Sequence, residues 1–188
     1  MPLGNISEIQ VGFQSREGIH SNPEGSHFLV QARDLNKYHQ VQWSALTRFS
    51  PSGSTDKYEL ARDDILFLAK GQGNFSCLID HEVKATLASN SFYILRASSE
   101  NILPAYLAWW LNQSPAQEYI RLHRGGSSLP FITISLLTKL EITVPTFEIQ
   151  KKVVELDKLQ KREAKLTEVY LAKKSALIEA LCLNAIII

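Results

Sequence analysis

Three short stretches of the 188-residue chain gather the side chains best suited to touch a polar polymer. Arg33-Asp34-Leu35-Asn36-Lys37 packs donors of three kinds into one segment. Lys70-Gly71-Gln72-Gly73-Asn74 sets three more around a pair of glycines, and Arg121, His123 and Arg124 lead directly into Gly125-Gly126-Ser127-Ser128. An arginine can donate two parallel hydrogen bonds to guanine, and asparagine or glutamine can pair with adenine. A basic cluster joined to a small turn suits a phosphate. Arg33, Asn36, Lys37, Lys70, Gln72 and Asn74 are therefore candidate DNA contacts, together with Arg121, His123, Arg124, Ser127 and Ser128. Each stretch also has an ordinary counterpart, because solvated turns are polar and cations favour a helix C-terminus on dipole grounds.

Other chemistries find less support. Gly71-Gln72-Gly73 lacks both the Gly-Lys-Ser/Thr of a phosphate loop and a third glycine at dinucleotide-binding spacing. His20, His27, His39, His81 and His123 share no ligand spacing, and Cys77 and Cys182 stand far apart without a Cys-x-x-Cys pattern, so neither a metal nor a cofactor is expected. Asn22-Pro23-Glu24 lacks the second proline and the aromatic residue of an amino-methyltransferase segment. The enzymatic alternative is a metal-dependent nuclease, with Asp64 as partner to Glu82-Val83-Lys84. The expectation is a chain without catalytic residues of its own.

The elements that must position these side chains follow from hydrophobic period and punctuation. His27 to Ala32, Val41 to Phe49, Tyr58 to Leu60, Ile65 to Ala69, Cys77 to Ile79 and Phe92 to Leu95 have strand character. Phe131 to Ile134 and Leu140 to Val144 are the last strands expected, bracketing a turn of helix at Ser135 to Lys139. Pro104 and Pro115 each open a helix, the first presenting Tyr106, Leu107, Trp110 and Leu111, the second carrying Tyr119, Ile120 and Leu122 and stopping at Gly125. After Pro145 neither glycine nor proline recurs, and strong helix formers fill most positions. A helix from 147 to 183 would be about 55 Å long at about 1.5 Å per residue. Its own domain cannot bury that length, so part of its apolar face awaits a partner; a helix folded back on its own domain is the alternative. Ile149, Val153 and Leu156, then Leu159, Leu166, Tyr170, Leu177 and Leu181, form that face, with Glu163 and Lys173 interrupting it.

Net charge is only +1, whereas binding through many phosphates goes with an excess of Lys and Arg. Either the cations collect on one face or another subunit supplies much of the grip. No apolar run reaches membrane-span length and the first residues show no export signal, so the cytoplasm is the expected location.

Several segments carry a family resemblance in consistent order. Ile142-Thr143-Val144-Pro145, followed by Phe147-Glu148-Ile149-Gln150-Lys151-Lys152-Val153-Val154, resembles the start of the conserved helix in specificity (S) subunits of type I restriction-modification enzymes. Pro104-Ala105-Tyr106-Leu107, Gly126-Ser127-Ser128-Leu129-Pro130 and the strand and turn from Leu29 to Leu35 resemble further segments of that family. So does Arg62-Asp63-Asp64-Ile65-Leu66-Phe67, with Asp63 where glycine is usual. The resemblance implies a mixed α/β (α+β) target-recognition domain over 1–146, with a mixed, largely antiparallel sheet. A long helix over 147–188 would follow as spacer and coiled-coil-like dimer arm. It further implies double-stranded DNA, a methyltransferase (M) subunit and a restriction (R) subunit as partners. A homodimer through the helix would then read a bipartite, inverted-repeat target. A truncated, inactive specificity fragment is the other form consistent with the resemblance.

Overall fold

A computed structural model describes residues 1–15, 18–71, 73–125 and 131–186. The chain divides into two units, Met1–Lys151 and Lys152–Ile188.

The first unit is built on two sheets. One has four antiparallel strands in the order β1 (Ser7–Val11), β7 (Phe92–Ala97), β4 (Ile65–Leu68), β5 (Ser76–Leu78). The other places β2 (His27–Val30) between β3 (Thr47–Phe49), antiparallel, and β6 (Thr86–Ala88), parallel. Every residue of β4 is buried, as its unbroken apolar run requires of a strand covered on both faces. Leu66 and Leu68 join Cys77, Ile79, Phe92 and Ile94 in a core with Val30 and Ala88 of the smaller sheet. One residue out of phase, Leu29 and Leu87 face the other way and pack with Phe13 and Phe49. The period-2 geometry of strands thus splits consecutive residues between two cores.

Three expected strands are absent. Between Val41 and Phe49, only Thr47–Phe49 is a strand, because Trp43–Ala45 forms a turn of 3-10 helix. Tyr58 closes another 3-10 turn, Asp56–Tyr58, and Glu59 makes a single bridge to Leu87. Phe131 to Ile134 and Leu140 to Val144 make only isolated bridges, Phe131 with Lys70 and Gly125, Glu141 with Pro2. Their backbone groups find partners elsewhere: Leu140 O accepts from Leu3 N at 2.8 Å, and Ile142 N donates to Met1 O at 2.8 Å. Two strands are absent from the sequence reading: β1, at Ser7–Val11, and β6, which fills the interval after Lys84.

Helices α1 (Pro104–Leu111) and α2 (Ser114–His123) start as their prolines indicate. On α1 the buried face is Tyr106, Leu107, Ala108 and Leu111, while Trp109 and Trp110 are half-buried. On α2, Ile120 is buried but Leu122 is exposed, and Arg124 rather than Gly125 caps the end with extended backbone. Asn112, just past α1, closes the edge strand β5: Ser76 N donates to its Oδ1 at 2.8 Å, and its Nδ2 donates to Ser76 O at 2.9 Å. A side-chain amide so placed satisfies a ladder position that would otherwise be open. A short helix, α3 (Ile134–Leu137), follows, with the Thr133 hydroxyl accepting from Leu136 N at its start.

The last helix, α4 (Phe147–Ile186), has 40 residues, or about 60 Å at about 1.5 Å per residue. From Lys152 onward none of its described residues is buried. Leu156, Leu159, Leu166, Tyr170, Leu177 and Leu181 are all exposed, with Val169, Leu171 and Ile178 beside them. Leu159, Tyr170 and Leu181 recur every 11 positions, as do Leu166 and Leu177. That period, close to the natural pitch of an α-helix, keeps a stripe nearly straight instead of winding it as a heptad does. Among the described residues, no helix is long and apolar enough to cross a membrane.

Candidate nucleic-acid interface

The turn from Lys70 to Phe75 is the hinge of the site. Gly71 and Gly73 have φ of 125° and 86°, values that side-chain-bearing residues rarely adopt. Asn74 is 3% exposed, and its Nδ2 donates to Leu68 O at 2.9 Å and Ala69 O at 3.3 Å. Asn74 therefore leaves the expected contact surface: its amide is committed to bracing the turn from inside.

Two neighbours grip the same turn. From α2, the Gln117 amide donates to Asn74 O and Leu111 O, both at 2.7 Å. From the loop after β2, the His39 ring stacks on Phe75 with centroids 4.0 Å apart and planes 5° from parallel. The three stretches singled out in the sequence are thereby joined. The loop carrying Arg33, Asn36 and Lys37 reaches the glycine turn through His39, and α2 with Arg121, His123 and Arg124 reaches it through Gln117.

The roles of the individual side chains differ. Arg33 is exposed, its Nη2 donating to Thr47 Oγ1 at 3.1 Å. Asn36 shapes its loop: its Oδ1 accepts from Tyr38 N at 2.9 Å and Gln40 N at 3.1 Å, an arrangement in which Asn mimics a backbone turn. Lys37 lies over the Tyr38 ring at 5.2 Å. Lys70 is exposed, and its backbone bridges to Phe131. His123 folds back onto α2, stacked on Tyr119 at 4.1 Å with Nδ1 2.8 Å from Tyr119 O. Arg121 is held by Glu118 one turn earlier, through Nε to Oε2 at 3.0 Å and Nη2 to Oε1 at 2.6 Å. Those hydrogen bonds hold the Glu118 carboxyl below its ordinary range and raise the Arg121 guanidinium above its own. Arg124 is exposed and has no ion pair among the described residues. Gln72, Ser127 and Ser128 lie outside the described residues.

Between the glycine turn and α2 opens a cleft of about 390 Å³, lined by Gly73, Asn74, Gln117, Glu118, Arg121 and Arg124 among others. Most of its lining residues are polar or charged, and Ile120 is among them.

The nuclease alternative loses its acid. Asp64 is buried and paired with Arg96, Nε to Oδ1 at 2.9 Å and Nη2 to Oδ2 at 3.2 Å. Its Oδ2 also accepts from Ala61 N at 3.0 Å, and Arg96 Nη2 donates onward to Glu59 O at 3.0 Å. The hydrogen bond to Asp64 raises the Arg96 pKa further above its normal value. A carboxylate engaged in this way is a structural strut that ties β4 to β7. Glu82 and Lys84, by contrast, are exposed.

Sequence reasoning quoted Gln150 within a motif but gave it no role. It is fully buried in the first turn of α4. Its Oε1 accepts from Leu103 N at 2.8 Å, and its Nε2 donates to Asn101 O at 2.9 Å and Pro145 O at 2.8 Å. Arg96, too, went unnoticed. For Arg96 the available signal was a long charged residue in an otherwise apolar strand, which must find partners.

The fold, mixed sheets followed by one very long helix, matches that of target-recognition domains in solved type I specificity subunits. Three solved structures share it. An S subunit of the type I restriction-modification system from M. genitalium matches 90% of this chain and 41% of its own, at 19% identity and TM-score 0.57. A chain from a study of complex assembly and conformational transition in the type I system matches 96% and 42%, at 16% identity and TM-score 0.67. The HsdS subunit from Thermoanaerobacter tengcongensis matches 90% and 38%, at 17% identity and TM-score 0.60. The chain thus spans about two fifths of the length of these proteins. No family model matches the sequence, and no curated protein does.

Proposed function

We propose that this chain recognises a DNA sequence as the specificity component of a type I restriction-modification complex. The observation that carries the reading is the fold shared with S subunits along 90% or more of the chain. The first unit reads duplex DNA with side chains around the glycine turn. The chain catalyses nothing itself and directs an M subunit, and through it an R subunit, to a bipartite target. The exposed stripe of α4 supports a homodimer, since a second copy presents the same stripe and a symmetric contact covers both. With a formal charge of +1, the chain depends on the M subunit for much of its phosphate contact.

The test is co-expression with an M subunit followed by purification and mapping of methylated bases. Retention of the M subunit and methylation at a split sequence with inverted-repeat halves is the expected outcome. A chain that neither retains the M subunit nor alters the methylation pattern would refute the proposal.

A further inference from the structure

Arg121, in the last turn of α2, and Arg124, the residue that caps it, line the same cleft, yet their environments differ. Both Arg121 contacts to Glu118 use the side edge of the guanidinium, Nε and Nη2. The end-on edge, Nη1 with the second hydrogen of Nη2, is the fork that matches two adjacent acceptors. A side chain normally free to rotate is thereby held with that fork in one orientation.

The carboxylate that orients Arg121 also selects what the fork can meet. A phosphate approaching Arg121 meets the negative charge of Glu118 within hydrogen-bond distance of the same guanidinium, whereas a base edge carries no charge to be repelled. Guanine offers N7 and O6 in the major groove at the spacing of an arginine fork. Arg124 lacks a carboxylate partner among the described residues and is suited to phosphate.

We infer that Arg121, oriented by Glu118, is a specificity-determining residue that reads a guanine through the major groove at this cleft, while Arg124 holds the adjacent backbone. The inference rests on the DNA-recognition reading above and divides two arginines that sequence alone grouped together as phosphate contacts.

The test is selection of bound sequences from a randomised duplex pool by the full chain in complex with its M subunit, comparing wild type with Arg121→Ala, Glu118→Ala and Arg124→Ala. Thermal melting confirms that each variant is folded. Arg121→Ala relaxes the preference for guanine at one position of each half-site by about 10- to 100-fold and leaves the other positions unchanged. Glu118→Ala relaxes the same position while raising affinity for unrelated duplex, because a negative charge has left the surface. Arg124→Ala weakens every sequence alike and lowers the salt slope by about 1. A wild-type complex that selects a motif, with Arg121→Ala selecting the same motif at the same weights, overturns this inference alone. A wild-type complex that selects no sequence overturns the proposed function and this inference with it.

Discussion

The two units of the chain solve the same problem in opposite ways. Every buried apolar residue described lies before Lys152, spread over two sheets, the short helices and the segments that join them. Beyond Lys152 the apolar residues described are as regularly spaced, but all are exposed apart from the half-buried Val153 and Val154. In the first unit, sequence separation is bridged by tertiary contacts. In the second, helix propensity sets the local structure and leaves the apolar stripe unsatisfied. The lesson is that periodicity alone shows which residues want burial. It does not show whether the burial comes from the same chain.

The sharpest way to break the contrast is to spoil the stripe. Leu159→Glu with Leu166→Glu places charges at the centre of the proposed helix contact. Light scattering should show a dimer become a monomer with helix content retained. A variant that stays dimeric would place the interface elsewhere.

Within the first unit, Arg96→Ala leaves Asp64 as a buried carboxylate without its cation, which costs about 3–5 kcal/mol in chemical denaturation. Gln150→Ala removes three hydrogen bonds from groups at the starts of α1 and α4 and leaves a cavity, at a cost of about 3 kcal/mol. The smallest effect runs in the opposite direction. Asp63 has φ of 70°, a conformation that costs L-residues about 1–2 kcal/mol and glycine little. Asp63→Gly should therefore raise the unfolding free energy read from chemical denaturation, by up to about 1 kcal/mol after the entropy that glycine loses on folding.

What could be read from the sequence followed what was local. The β4 run, the proline-started α1 and α2 and the glycine-free α4 all announce themselves within their own residues. The elements missed depend on remote partners. β6 is three residues whose pairing with β2 is parallel and far in sequence. Phe131 to Ile134 and Leu140 to Val144 are apolar enough for strands, but their hydrogen bonds go to Ala69 and Gly125 and to the first few residues of the chain, leaving no ladder. At the site, composition located the right segments but not the direction of their side chains. Asn74 and Lys70 look alike as turn residues, and only the buried carbonyls of Leu68 and Ala69 draw Asn74 inward. The Glu118–Arg121 pair is visible as an i,i+3 spacing; the cleft it faces is not.

Gln150 has a kinetic consequence. One side chain bonds Asn101, Leu103 and Pro145, so the Leu103 amide hydrogen can reach solvent deuterium only when the opening turn of α4 lets go. Its exchange rate is a built-in clock for that release, readable at a single backbone position.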